Sequence, residues 1–462
     1  MFVFDESTFD IFIEDVKSSK ILGINITEIF QDLYIFVATK NQHYLVSFSE
    51  EESYLDEINY LQVILDELGK DNYTLFFCFK SYLSILSNRL KLLLNNYYNY
   101  NNINNLNILN LKYILYIYKN ILNNKDELDI KELENKNYTS ENEFYNDNKQ
   151  FFQKIFNDKK LLTILFKKGI KSYHKLHLSK CILFNNIEKN GINVISKGST
   201  FFSNCLKKGE QKVLYPSYNI YTNNGRVYSS TLGFNCCAIP SGLARTEIHS
   251  KFNNGILFYF DYISLHPRIC LYLIRDFLKI KEINKFDIEN EDIYNHIKDI
   301  YKLEFSRDEI KNITWKTIYG YKKEYKYISV FKYINVLSKY IYKKYLQKGY
   351  VVNRYGMQFY LSNDINNSEG KVFANYLQSM ESDFTIQRLK TVNKFTEDKD
   401  SHIILQMFDG ILFDYNPKDD IKIIKKIKKL LEYGSEEDEV FGLKKFPLNV
   451  YAGKDFQNLR KI

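Results

Sequence analysis

The 462-residue chain has little tryptophan, methionine, proline or cysteine: one, four, five and six residues. The cysteines are Cys78, Cys181, Cys205, Cys236, Cys237 and Cys270, and no two stand as C-x-x-C. That excludes a zinc ribbon and a thioredoxin motif. Adjacent Cys236 and Cys237 would bridge each other only with strain, so the chain reads as reduced and intracellular. No apolar run approaches the roughly 20 residues that span a bilayer. The opening Met1-Phe-Val-Phe-Asp-Glu carries acid where a targeting peptide carries base. The expectation is a soluble protein without a membrane partner, of cytoplasm or nucleoid, or of an organelle.

What is abundant is aromatic: 39 Tyr and 35 Phe, set among Asn, Ile, Lys and Leu. AT-rich coding produces this bias whatever the function. Lys plus Arg number 64 against 56 Asp plus Glu, a net charge of +8. This permits a polyanionic partner without establishing one. With 45% hydrophobic residues the chain can bury large cores, and its length suits two or three domains.

Proline and glycine divide the chain. All five prolines, and twelve of eighteen glycines, follow residue 215, so turns and ligand-approaching loops belong to that half. The first ~85 residues alternate as strands (2–4, 21–26, 33–38, 44–48 and 74–79) around a helix at 57–68. Residues 82–123 read as helical, interrupted by an Asn-rich loop from Asn95. The acidic stretch 125–150 reads as a linker or mobile loop, with helices resuming at 151–168 and 178–189.

Three segments carry chemistry. Gly255-Ile-Leu-Phe-Tyr-Phe-Asp261-Tyr-Ile-Ser-Leu-His266-Pro-Arg268 is a run of β-formers ending in an Asp before a helix start. Such an Asp can be a helix cap or one half of a metal site. Ser401 to Tyr415 reads as two apolar strands joined by Asp409-Gly410, where Asp409 fills a type I′ turn or stands beside Asp261 in one sheet. Two rigid carboxylates suit two Mg²⁺ ions and phosphoryl transfer. Between them Arg307, Lys311, Trp315 and Tyr319 are spaced by four. Each step turns about 400° on an α-helix, so they form one stripe. It is either an ordinary exposed face or cations for a triphosphate followed by aromatics for a base or sugar.

In order and spacing these segments resemble family A DNA polymerases, the bacterial DNA polymerase I type. Asp261, Tyr262 and Arg268 fit the family's D-Y-S-Q-I-E-L-R. Arg307, Lys311, Tyr319 and Gly320 fit R-x3-K-x3-F-G-x2-Y-G, with Trp315 in the Phe place. Met407-Phe408-Asp409-Gly410 stands for V-H-D-E. Tyr215 to Ser230, with Gly225-Arg226, resembles H-P-x-F-N-x-T-x-T-G-R-L-S-S, and Asn235 to Pro240 resembles N-L-Q-N-I-P. Gly349-Tyr-Val-Val with Gly356, Asn375 with Gln378, and Pro447 to Gly453 extend the match, which covers about 213–456.

The resemblance implies an α+β right hand: an antiparallel palm sheet at 215–270 and 355–462, helical fingers at 271–354, and a linker with a reduced thumb at 136–214. A degenerate exonuclease-like (RNase H-like) α/β domain at 1–135 would precede them. It implies primer- and template-dependent addition of dNTPs with two Mg²⁺ ions. Asp261, Asp409 and the Tyr262 carbonyl would hold the metals. Arg307 and Lys311 would bind the triphosphate, with Lys311 as proton donor. Trp315, Tyr319, His266 and Tyr294 would line the nucleotide site. Arg226, Gln378, Arg268, Asn235 and Gly320 would meet the primer–template.

Departures carry their own expectations. His266 replaces the Glu that gates against a ribose 2′-OH and keeps its bulk. Tyr294 replaces a triphosphate-holding His. Cys237, Ala238, Met357 and Gln358 remove DNA contacts, and Gly410 replaces a dispensable Glu. The nuclease needs D-x-E and two further aspartates. Asp5-Glu6-Ser7 lacks that spacing and 79–83 has no Asp, so no proofreading is expected. Only residues 195–214 lie between the thumb-start resemblance at 188–194 and Tyr215, which implies low intrinsic processivity or a processivity partner. The alternatives are a single-subunit RNA polymerase and a catalytically inactive nucleic-acid-binding relative.

Overall fold

The computed structural model describes residues 2–3, 6–29, 32–48, 63–64, 67, 73–77, 108–110, 138–158, 168–222, 224–229, 234–289, 292–319, 328–359, 361 and 368–462. The expected helices at 57–68 and 82–123, the Asn-rich loop, residues 79–83, Cys78 and Gly320 lie wholly or mostly outside them. The chain falls into two compact units, Met1–Asn185 and Asn186–Ile462.

In the first unit β1 (Phe2–Val3), β2 (Ile21–Ile29), β3 (Asp32–Ala38), β4 (His43–Phe48), β5 (Tyr73–Phe76) and β6 (Ile108–Asn110) make one sheet, in the order β1-β4-β3-β2-β5-β6. β2, β3 and β4 form an antiparallel meander, whereas β1, β5 and β6 join it in parallel. The five strands read from β-branched and aromatic runs are all present. β6 lies inside the segment read as helical, because three residues are too few for periodicity to register. Helix α1 (Glu6–Ser18) precedes the meander.

Helix α2 (Glu141–Asn157) overturns the linker reading of 125–150 over its last ten residues. Ser140 caps it by accepting from the Glu143 N–H, and Glu141 and Glu143 sit at the positive end of the helix dipole. The acids therefore mark a helix start. Phe144, Phe151, Phe152 and Ile155 are buried, and Phe152 stacks on Phe36 of β3 with ring centroids 5.9 Å apart. Helix α3 (Lys168–Asn190) follows.

The second unit is built on an antiparallel five-stranded sheet, ordered β15-β16-β12-β17-β18. Its strands are β12 (Ile256–Tyr262), β15 (His402–Met407), β16 (Gly410–Tyr415), β17 (Leu448–Gly453) and β18 (Arg460–Lys461). Central β12 buries Leu257, Phe258, Phe260 and Tyr262. Smaller sheets are β11-β7-β8, β9-β10 and β13-β14, from β7 (Ile192–Ile195), β8 (Gln211–Leu214), β9 (Tyr218–Asn219), β10 (Tyr228–Ser229), β11 (Ile248–His249), β13 (Val351–Val352) and β14 (Gln358–Phe359). Between β7 and β8 the chain makes turns, with Gly198 and Gly209 at positive φ. Buried Glu247 holds this loop by accepting from the Lys197 and Ser199 N–H groups.

The helices of this unit are α4 (Leu243–Thr246), α5 (Leu265–Tyr272), α6 (Ile293–Tyr301), α7 (Arg307–Ile318), α8 (Ser329–Lys348), α9 (Glu369–Phe395) and α10 (Lys422–Tyr433). Long α9 is buried on nearly every side from Val372 to Val392. Amphipathic α10 buries Ile423, Ile424, Ile427 and Leu431 and turns its lysines outward.

The junction from β12 into α5 is the bend that aims the site. Ser264 adopts φ 55°, a left-handed conformation costly for a residue with a Cβ. Arg268 pins the bend: its Nε donates to the Ile263 carbonyl at 2.7 Å and its Nη1 to the Ile288 carbonyl. Arg268 was expected at the DNA, but it is fully buried and cannot reach a ligand. A guanidinium spreads five donors in a plane, so it can satisfy carbonyls from two segments at once. Arg268→Met should lower the unfolding free energy by about 3 kcal/mol, as expected when buried polar partners are orphaned. A urea titration checks this; a DNA-contacting residue would leave the midpoint unchanged.

Candidate active site

Asp261 lies at the end of β12, in register with Gly410 of β16 and Asn449 of β17. Met407 pairs with Gly410, so the two loop residues of the β15–β16 hairpin are Phe408 and Asp409. This corrects the expected Asp409-Gly410 turn. Phe408, at φ 58°, takes the left-handed position, which leaves Asp409 beside the Asp261–Gly410 pair. Gly410 serves closeness instead: a Cβ there would collide with the Tyr259 hydroxyl. Two residues before Asp261, Tyr259 shares its face of the sheet.

Both carboxylates are half-buried. Burial raises Asp261 above the usual range. Burial, then the charges of Glu381 and Asp261, push Asp409 to about 6. Among the described residues neither acid has an ion-pair partner, and no cluster of three or more acidic, histidine or cysteine side chains could cage a metal. Two carboxylates are nonetheless a fitting donor set for Mg²⁺, which keeps several waters and binds through one or two carboxylates plus substrate phosphates. A dication would relieve the repulsion that raises Asp409.

His266, in the first turn of α5, stands next to this pair. Its Nδ1 lies 3.3 Å from the Tyr319 hydroxyl. Its ring sits edge-on to Trp315 and Tyr319, with centroids 5.8 and 6.3 Å away. Its Nε2 lies 2.6 Å from Glu381 Oε2, a charge contact along which the ring N–H does not point. Arg226 Nη2 donates to both oxygens of the same carboxylate at 3.0 and 3.1 Å. Its guanidinium also covers the Phe408 ring at 4.3 Å, within cation–π range. Burial opposes charge on Glu381, yet His266 and Arg226 outweigh it and hold the carboxyl below its ordinary range.

Helix α7 meets His266 through Trp315 and Tyr319. A capping box starts it: Ser306 accepts from the Glu309 N–H and the Glu309 side chain accepts from the Ser306 N–H. Trp315 and Tyr319 stack with planes 2° apart and centroids at 5.4 Å. Lys311 is exposed. Arg307 Nε donates to Asp292 at 2.8 Å, and its guanidinium lies 5.4 Å from the Tyr294 ring. Tyr294 itself is buried, with its hydroxyl held by Ser264 and Trp315.

Of the sequence-predicted residues, the structure gathers Asp261, Asp409, His266, Trp315, Tyr319 and Arg226, and leaves Arg307 and Lys311 toward the exposed start of α7. Gln378 accepts from the Asn224 amide at 2.7 Å, and Asn235 accepts from the Ser229 hydroxyl. The Tyr262 hydroxyl donates to the Leu431 carbonyl. Sequence reasoning missed Glu381 and Tyr259. Glu381 had a signal: an acid inside a helix otherwise buried throughout must have a partner.

No family model matches the sequence, and no curated protein matches it. Among solved structures, the polymerase domain of Pol1 from M. smegmatis, in complex with DNA primer–template and dNTP, superposes with a TM-score of 0.69. The match covers 99% of this chain and 100% of that chain at 12% identity, so the likeness is one of fold.

An acid whose folded pKa lies above its free value destabilises the fold while charged. For Asp409 that penalty is in force above pH 6 and disappears as pH falls toward 3.8. At about 1.4 kcal/mol per pH unit it amounts to about 3 kcal/mol. Asp409→Asn should therefore raise the denaturation midpoint at pH 8 in EDTA, and the gain should shrink between pH 6 and 4. Calorimetry across that range checks it.

Proposed function

We propose that the chain is a template- and primer-dependent DNA polymerase that joins dNTPs to a primer 3′-OH. One observation carries the reading. Two carboxylates that repel each other are held at one end of an antiparallel sheet, beside His266 and the Trp315–Tyr319 stack of a helix that also bears Arg307 and Lys311. Likeness of fold to a polymerase domain supports it. On this reading the five-stranded sheet is the palm, α6 to α8 belong to the fingers, and the turns between β7 and β8 stand where a thumb would be.

Asp261 and Asp409, with the Tyr262 carbonyl, would hold two Mg²⁺ ions. Bound there, the metals would supply charge neutralisation for the attacking and departing oxygens. Arg307 and Lys311 bind the triphosphate, and Arg307 exchanges Asp292 for phosphate as it does so. Lys311 is the candidate proton donor to pyrophosphate. Trp315 and Tyr319 offer a flat apolar surface to the base and sugar. His266 fills the sugar end and favours deoxyribose. Arg226, bound to Glu381, reaches primer–template DNA through its remaining exposed surface.

The first unit is read as an exonuclease-like domain without its chemistry. The meander flanked by parallel strands supports this. Phe152 lies so close to Gly23 that a Cβ there would meet its ring. Asn25 donates to Asn148 at 2.7 Å, a neutral pair of amides on the facing elements β2 and α2.

Extension of a labelled primer with Mg²⁺ tests the whole reading. The wild-type chain should extend with dNTPs and far less with rNTPs. Asp261→Asn and Asp409→Asn should each lose activity by about 10³-fold or more, and no primer should shorten without dNTPs. Extension only with rNTPs would indicate an RNA polymerase, and no extension at all an inactive relative. With a heparin trap the products should be short, because residues 195–214 leave no room for a helical clamp; long products from one binding event would refute that part.

A further inference from the structure

The polymerase reading uses His266 and Arg226 but not the acid they share. Glu381 lies on the buried helix α9, between residues packed on every side. It is itself buried, as is His266, and it is the carboxylate that pairs with Arg226 and meets the His266 ring. We infer that Glu381 is the positioning residue of the nucleotide site, fixing the His266 ring against Trp315 and Tyr319 and so setting the preference for deoxyribose.

The geometry explains why a carboxylate is needed. His266 is gripped between two contacts: Glu381 Oε2 lies 2.6 Å from Nε2, with the ring N–H not directed at the carboxylate, and the Tyr319 hydroxyl lies 3.3 Å from Nδ1. An imidazole held at one edge alone is free to swing about its Cβ–Cγ bond, and a swung ring would open the space that a 2′-OH needs. Tyr319 sits at the C-terminal end of α7 and belongs to the element that presents the nucleotide. Glu381, by contrast, is anchored in the rigid core and is the fixed side of the grip. Its second oxygen is engaged by Arg226, so the acid cannot rotate away. Arg226 passes the constraint on, since its guanidinium covers Phe408, the left-handed residue preceding Asp409. The loop carrying Arg226 is tied to α9 twice more: Asn224 donates to Gln378 at 2.7 Å, and Ser382 donates to the Gly225 carbonyl at 2.8 Å. The charge is costly for the site, because it adds to the repulsion on Asp409. A neutral glutamine would fit the same space without that cost.

This inference rests on the polymerase reading, and the test separates the two. Single-nucleotide incorporation is measured with dNTP and the matching rNTP for wild type, Glu381→Gln, Glu381→Asp, His266→Ala and the double variant Glu381→Gln/His266→Ala. Glu381→Gln should lower the dNTP/rNTP ratio of kcat/KM about tenfold, with the dNTP loss carried mainly by KM. Glu381→Asp should recover part of the ratio. The double variant should be no less selective than His266→Ala alone, because both changes remove one grip. An independent readout is the single tryptophan: Trp315 emission should change in Glu381→Gln in the same direction as in His266→Ala. An unchanged ratio in Glu381→Gln beside a lowered one in His266→Ala would overturn the inference alone. So would equal losses for both sugars, or Trp315 emission identical to wild type. No extension by the wild-type chain would overturn the polymerase reading and this inference with it.

Discussion

Like charges do not come together unaided, and the second unit is organised around forcing two of them to do so. Asp261 and Asp409 reach the same sheet end because β12 and β16 are hydrogen-bonded neighbours in a register that places Asp261 opposite Gly410. Backbone ladder bonds are too numerous to yield to one repulsion. The ladder is backed by Phe258, Phe260, Ile411 and Phe413, all buried. The apolar surroundings thus hold both carboxyls above their ordinary range, first by burial and, for Asp409, then by the charges of Glu381 and Asp261. A dication would offset that cost.

Glu381 adds to the repulsion on Asp409, and the groups that offset Glu381 stand at one remove from the aspartates. Arg226 does not pair with either aspartate; it pairs with Glu381 and lies over the ring of Phe408. His266 likewise faces Glu381. Were either side chain bound directly to Asp409, it would occupy the carboxylate that a metal would need. Arg226 and His266 thus offset the charge of Glu381, which leaves Asp261 and Asp409 available. Local backbone follows the same constraint. Ser264 and Phe408, both left-handed without being glycine, are the bends that deliver His266 and Asp409 to the site. Arg268 and Arg226 brace them, one by hydrogen bonds to carbonyls and the other through a π face.

Much of this was legible residue by residue. β12, β15 and β16 were readable because buried strands are short apolar runs with sharp ends, and the Arg307–Tyr319 stripe because helical spacing is regular. The acids at 141–143 were misread, since composition alone does not separate a solvated linker from the charged first turn of a helix; the phenylalanines that follow decide it. Arg268 was misassigned because an arginine in a motif looks the same in sequence whether it faces a ligand or two carbonyls. The hairpin loop was placed one residue late, because the pairing of Met407 with Gly410, and not the identity of the Asp-Gly pair, sets where the turn falls.

The sequence by itself determined the chemistry on offer: two carboxylates at strand ends, a cationic and aromatic stripe, and an imidazole at the helix start. These depend on residue type and on spacing within one element, which a linear string records. Only the tertiary structure decided which groups act together. Glu381 is 115 residues from His266 and 155 from Arg226, and no local pattern links positions so far apart. Their association follows from α9 being packed against α5 and the loop before β10, and a buried acid acquires its partners only when packing leaves it no water.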